Sequence, residues 1–322
     1  MRDEEMDNLL ERFWAGDQRA LARAISVIEN NDAGRDELLA AFSRKAGQTY
    51  ILGLTGSPGA GKSSLVDRLT GVWRSGGDRV AVVAVDPSSP FTGGAILGDR
   101  IRMQDHSEDQ EVFIRSMGSR GSLGGLARST KDVVRTMDAF GFGLVMVETV
   151  GVGQAELDIM NVADTVVVVL TPGAGDGIQT IKAGIMEIAD VFAVNKCDLA
   201  GADRLVMEVE MMLDLGRGRS GWRPPVVPVS AQTGQGVTEL AETIQRHREY
   251  KQSSGLLLAS RRERLKAEVL EIVNYRWRCL VDSRLALPGG ARELLARVAD
   301  RELDPYTAAT AILAEVAGNA GN

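Results

Sequence analysis

The stretch "YILGLTGSPGAGKSS", residues 50–64, decides the fold. Tyr50 to Thr55 form a short apolar run of the kind that makes a buried strand. Gly56 through Ser63 then match G-x-x-x-x-G-K-[ST], placed between that strand and a helix as the motif requires. Glycines let the backbone curl so that successive N–H groups point at one anion, and the helix adds its positive N-terminal end. On this reading Gly56, Ser57, Pro58, Gly59, Ala60 and Gly61 line a phosphate cradle. Lys62 reaches the outer phosphates, and Ser63, with Ser64 after it at the helix start, brings a hydroxyl to Mg2+. The alternative is a glycine-rich turn with no ligand.

Outward from this stretch the pattern repeats. "VAVVAV", "VFIRS", "LVMVET", "TVVVVL", "VFAVN" and "PVVPVS" alternate with amphipathic segments. Several of these runs are apolar on consecutive positions, which suits strands covered on both faces and hence a mostly parallel sheet with helical crossovers. The expected fold is α/β: a P-loop nucleotide-binding domain over 47–255, its parallel central sheet flanked by helices. Residues 1–46 precede it as a helical segment, with Leu9, Leu10, Phe13, Trp14, Leu21, Ile25 and Ile28 recurring every three or four positions. Residues 256–322 follow as a helical arm. Its long first helix carries Val269, Val273, Trp277, Leu280 and Leu285 along one side, and its last is opened by Asp304 as N-cap with Pro305 in the first turn. An arm with this much apolar surface serves either a homodimer or packing on its own domain.

Strand ends in such sheets deliver carboxylates to one crevice, and Mg2+ takes oxygen ligands. Asp86 ends the run "VAVVAVD" and Glu148 ends "LVMVE". Both are candidates at the metal, and a strand-end cap or surface charge is the alternative for each. Between Asp86 and the next helix, the loop holding Gly93, Gly94 and Gly98 could carry Asp99 to the same ion, unless Asp99 caps that helix.

"VNKCDL", residues 194–199, sets the base preference. Asn-Lys-x-Asp at a strand end of a P-loop protein is the guanine signature. The Asp198 carboxylate accepts hydrogen bonds from the ring N–H and the exocyclic amine of guanine, whereas adenine offers an unprotonated nitrogen there. Leaving a buried charge unsatisfied makes such discrimination as large as about 10⁴-fold. Asn195 braces the loop and Lys196 lies along the base. Ser230 and Ala231, followed by Gln232, offer backbone groups to the guanine oxygen. Cys197 holds the variable position and its thiol is incidental. The expected nucleotides are therefore GTP and GDP.

Bulk properties agree. The 322 residues are 44% hydrophobic and 25% charged, an ordinary globular balance. A net charge of -7 and a pI near 5.1 offer nothing to a nucleic-acid backbone or an anionic membrane. The acidic start "MRDEEMDNLLERFW" has no signal-peptide pattern, and no apolar run approaches the roughly 20 residues of a membrane span. A cytoplasmic protein is expected. Its two cysteines, Cys197 and Cys279, form no paired framework, and its two histidines, His106 and His247, read as exposed helix residues. No Cys/His cluster of the kind a metallocentre-assembly GTPase would use is visible.

With the cradle, "VDPSSPFTGGAILGD", "VETVGVGQ", "PGAGDGIQTIKAGIMEIAD" and "VNKCD" in this order, nearly the whole chain resembles the MeaB/ArgK-type GTPases. That resemblance implies a chaperone of an adenosylcobalamin-dependent acyl-CoA mutase of the methylmalonyl-CoA mutase type, gating cofactor loading and protecting or reactivating its client. It also implies a homodimer joined through the C-terminal helices. The segment "GAGDGIQTIKAG" corresponds to a third switch in that family, which makes Asp176, Gln179 and Lys182 candidates; Gln179 and Lys182 join Lys62 and Glu148 as the candidate catalytic residues. Gly151 is followed by Val152 rather than glutamine, and Gln154 lies farther on. Slow intrinsic hydrolysis, raised by a partner, is the expectation. An ArgK-like ATPase of amino-acid transport and a nucleotide-bound scaffold are the rival readings.

Overall fold

The computed structural model describes residues 3–86, 106, 108–118, 128–149, 155–173, 183–215, 221–287 and 289–319. They divide into two compact units, Met1–Leu257 and Leu258–Asn322.

In the first unit, helices α1 (Asp3–Trp14), α2 (Gln18–Asn30) and α3 (Arg35–Ser43) precede strand β1 (Tyr50–Thr55). Then come α4 (Lys62–Ser75), β2 (Val80–Asp86), β3 (Val112–Gly118), α5 (Arg128–Phe140), β4 (Leu144–Thr149), the short α6 (Ala155–Asp158), and β5 (Thr165–Leu170). The unit closes with α7 (Ala183–Ile188), β6 (Val191–Val194), α8 (Ala202–Leu215), β7 (Val226–Pro228) and α9 (Val237–Ser253). The strands form one parallel sheet in the order β3-β2-β4-β1-β5-β6-β7.

The consecutive apolar runs are explained by this sheet. Val166, Val168 and Leu170 of β5 point into a core beneath α1, α2, α3 and α5, while Val167 and Val169 point into a second core beneath α4 and α9. Side chains alternate across a pleat, so a strand covered on both faces is apolar at every position. β4 does the same, Val145 and Val147 on one side, Leu144 and Met146 on the other.

The N-terminal helices share the first of these cores with the sheet. Phe13 stacks on Phe42 at a centroid distance of 4.3 Å and meets Phe140 edge-on at 5.1 Å. Ion pairs also tie these helices to the rest of the unit. Arg35 of α3 donates to Asp132 of α5 at 2.6 Å with both side chains buried, and Arg115 of β3 pairs with Glu29 of α2. Asp17 caps α2 by accepting the N–H of Arg19 at 2.7 Å, and the left-handed Asn31 ends it.

The histidines depart from expectation. His247 sits on α9 but is buried, sharing a 2.6 Å hydrogen bond with Thr165 Oγ1 and lying against Trp222 at 4.8 Å. Burial, then the charge of Lys251, pulls its pKa down to about 4. His106 is half-buried, its Nε2 3.2 Å from the carbonyl of Asp67. His247 lies on a helix face whose inward direction is set by distant partners, which periodicity alone cannot reveal.

The second unit is helical. It consists of most of α10 (Leu256–Ala286), with α11 (Gly290–Ala299) and α12 (Pro305–Asn319). Trp277, Val281 and Leu285 pack on a small core of Ala291, Ile312 and Val316, while Val269, Val273 and Leu280 are exposed. The stripe expected along α10 is thus split. Asp304 Oδ1 accepts the N–H groups of Tyr306 and Thr307 at 3.0 and 2.9 Å, the N-cap expected there. No described helix is long and apolar enough to cross a membrane.

Candidate functional site

At the C-terminal end of β1 the chain turns through Gly56, Gly59 and Gly61, all with positive φ. Two of them are also sterically confined: a Cβ at Gly56 would stand 2.1 Å from the carbonyl oxygen of Val169, and one at Gly61 2.3 Å from Asn195 Nδ2. The loop therefore lies tight against β5 and the start of the segment after β6. Pro58 and Gly59 are exposed at its rim, and Ala60 is buried. Lys62, 5% exposed, folds back so that its ammonium donates to the carbonyls of Gly56 at 2.7 Å and Ser57 at 3.0 Å. The same ammonium is positioned to meet an anion inside the curl.

Ser63 and Glu148 come together. Ser63 Oγ donates to Glu148 Oε1 at 2.6 Å, and Glu148 is buried at the end of β4. A hydroxyl and a buried carboxylate beside a phosphate cradle are hard oxygen donors, the set that suits Mg2+. Asp86 closes β2 opposite Gly118 of β3, one residue beyond the Val85–Thr149 pair, which places its backbone at the same end of the sheet. Asp99, Gln179 and Lys182, with Asp176 and Gln154, lie outside the described residues.

The second half of the site stands beyond β6. Asn195, buried, donates from Nδ2 to the carbonyl of Ala60 at 2.7 Å and accepts the N–H of Ala231 on Oδ1 at 3.0 Å. Lys196 takes a left-handed backbone, φ 59°, and its ammonium donates to the carbonyl of Gly59 at 3.0 Å. Asp198 is exposed on a cavity of about 470 Å³ that Gly61, Ser64, Ser230, Ala231 and Gln232 also line. Cys197 does not line it. Its side chain packs on the core, and burial pushes the thiol pKa up, away from the reactive thiolate. One expectation is modified. The N–H of Ser230 already donates to Gln235 at 2.9 Å and that of Ala231 to Asn195, so a guanine oxygen would have to share or displace the latter bond.

The sequence profile described as "Methylmalonyl Co-A mutase-associated GTPase MeaB" matches residues 21–283. The chain belongs to the MeaB family. Among MeaB relatives, a Pyrococcus abyssi protein named as a GTPase is 49% identical over 97% of both chains. GTPase ArgK of Escherichia coli K12 is 37% identical over 73% of each. A solved structure described as a LAO/AO transport system kinase superposes with a TM-score of 0.71 at 26% identity, covering 100% of this chain and 99% of that one.

The MeaB site gathers residues that the motifs did not include. Arg68, on α4 beyond the cradle, donates from Nε to the carbonyl of Ala231 at 2.9 Å and from Nη2 to that of Gln232 at 3.2 Å. In the sequence it is one more charged residue on the polar side of an amphipathic helix, and nothing there distinguishes it from a solvated one. Thr149 Oγ1 donates to Thr55 Oγ1 at 2.9 Å, tying the end of β4 to the strand that leads into the cradle.

Proposed function

We propose that this MeaB-family protein binds GTP in the crevice between the cradle and the Asn195–Asp198 turn and hydrolyses it to GDP and phosphate. The observation that carries this reading is the single amide of Asn195, which joins Ala60 of the cradle to Ala231 of the base-reading loop. Phosphate and base contacts are thereby held at a fixed separation. The exposed carboxylate of Asp198 on the adjoining cavity supports guanine over adenine.

In the mechanism, backbone N–H groups of the loop and the N-terminal end of α4 hold the phosphates, and Lys62 turns its ammonium from the Gly56 and Ser57 carbonyls toward the terminal phosphoryl oxygens. Ser63 and Glu148, with Asp86 and Asp99 as further candidates, would hold Mg2+, which would supply positive charge against the phosphates. Charge that develops on the phosphoryl group is met by donors already in place, so little reorganisation opposes the reaction. No glutamine follows the switch glycine Gly151. Intrinsic turnover is accordingly slow, and a partner that orders the switch segments and supplies a cation accelerates it by about 10³ to 10⁵.

The partner proposed is an adenosylcobalamin-dependent acyl-CoA mutase, toward which the family description points. GTP turnover then gates cofactor loading and protects the client. A homodimer in the cytoplasm, joined through the exposed Val269, Val273 and Leu280 of α10, completes the proposal. The test is GTP turnover at saturating Mg2+ with and without each such mutase of the same organism. Stimulation by one of them is expected; turnover near 10 per second by the isolated protein, an ordinary enzyme rate, would contradict it. Equal use of ATP would instead favour the transport-linked ATPase reading.

A further inference from the structure

We infer that Arg68 is a positioning residue for guanine recognition, clamping the base-reading loop to the helix that begins at the phosphate cradle. This role rests on the GTP-binding reading above and deepens it. Ala231 and Gln232 are 163 and 164 positions from Arg68 in the chain, yet one guanidinium holds both carbonyls, at 2.9 and 3.2 Å. A planar fork of donors can span two successive carbonyls in this way, whereas a lysine presents a single ammonium on a flexible stem.

The two anchors of the loop are complementary. Asn195 takes the N–H side of the Ala231 residue and Arg68 takes its carbonyl side. Each anchor leads back to the phosphate half of the site: Asn195 to Ala60, and Arg68 through α4 to Lys62 and Ser63. The loop between Ser230 and Gln235 is further closed by the bonds of Ser230 N to Gln235 O and Gly234 N to Ser230 O, at 2.9 and 2.8 Å. These bonds shape the loop internally but do not connect it to the cradle. Without Arg68 the carbonyl side would have to be ordered at the moment the base binds, and that ordering cost is subtracted from affinity.

The arrangement predicts a base-specific effect. Adenine cannot use the guanine contacts, so loosening the loop weakens guanine nucleotides and leaves adenine nucleotides nearly where they were. The experiment compares equilibrium binding and release of fluorescently labelled GDP and ADP for wild type, Arg68→Ala and Arg68→Lys. Arg68 is exposed, so folding tolerates both changes, and thermal melting without nucleotide checks this. Arg68→Ala is expected to weaken GDP about tenfold, mostly through faster release, with ADP changed less than about twofold. Arg68→Lys should recover part of the loss, since one charged donor remains.

GDP release at the wild-type rate from Arg68→Ala would overturn the role. So would an equal loss for GDP and ADP, which is the mark of a general structural defect. If the wild-type protein binds ADP as tightly as GDP, the guanine reading itself falls, and this role falls with it. A preserved wild-type preference for GDP with an unaffected variant removes Arg68 alone.

Discussion

Ser63 Oγ donates a 2.6 Å hydrogen bond to the buried carboxylate of Glu148, joining the first turn of α4 to the end of β4 across 85 positions of sequence. The contact puts a hydroxyl and a carboxylate where a divalent ion beside the phosphates would find them. Glu148→Gln keeps the side-chain shape and removes the charge. Single-turnover GTP hydrolysis is expected to fall about 100-fold, with GDP binding in the absence of Mg2+ changed far less. Equal losses in both measurements would place Glu148 in the framework of the site rather than in the chemistry.

In the proposed complex Asp198 offers an acceptor where guanine has donors. Asp198→Asn replaces one acceptor by an amide donor, so GTP affinity should fall about 10² to 10⁴-fold while xanthosine triphosphate, with an oxygen in place of the exocyclic amine, gains. Competition binding with the two nucleotides measures the exchange. Unchanged GTP affinity would mean that the base lies elsewhere.

His247 makes stability depend on pH. Its folded pKa of about 4 lies below the usual value of 6.5, so the unfolded chain binds more protons between these pH values. The stability that comes from keeping it neutral is fully present above pH 6.5 and is lost as the pH falls toward 4. The loss is roughly 3 kcal/mol at most, with Asp190 Oδ1, 3.5 Å from Nε2, able to soften it by favouring the charged form. Melting curves from pH 7.5 to 5 should fall more steeply for wild type than for His247→Gln, which keeps hydrogen-bonding capacity but does not titrate. Parallel curves would show that another group governs the acid response.

Arg35 and Asp132 pin the N-terminal helix α3 to helix α5. Burial raises the Asp132 pKa and the charge of Arg35 opposes that shift. Arg35→Met removes the closest partner of the buried carboxylate and leaves it Arg135 at 3.9 Å, so it is expected to cost about 3 kcal/mol in urea denaturation, whereas Arg35→Met with Asp132→Leu should recover most of it. A single substitution with no measurable cost would mean that water reaches the pair.

Much of this molecule was legible in local sequence because the signals are local. An apolar run, a glycine-rich turn and a helix start lie within residues 50–64, and a backbone curl around an anion needs only its own residues to form. Asp304 as a cap is likewise decided within four residues. The two-sided burial of β5 was readable from "TVVVVL" alone, since no one-sided strand needs every position apolar.

Sequence by itself therefore determined the fold class and the glycine-rich turn after β1, and it supplied the residues proposed here to hold phosphate and guanine. Tertiary structure decided what lies between those pieces: that Ser63 meets Glu148, that Asn195 ties Ala60 to Ala231, that Arg68 reaches the carbonyls beyond it, and that His247 is buried rather than exposed. The physical reason is the order of the strands. A parallel sheet that runs β3-β2-β4-β1-β5-β6-β7 brings the C-terminal ends of β1, β4 and β6 to one end of the sheet, and which side chains then touch depends on strand neighbours that sequence separation does not encode.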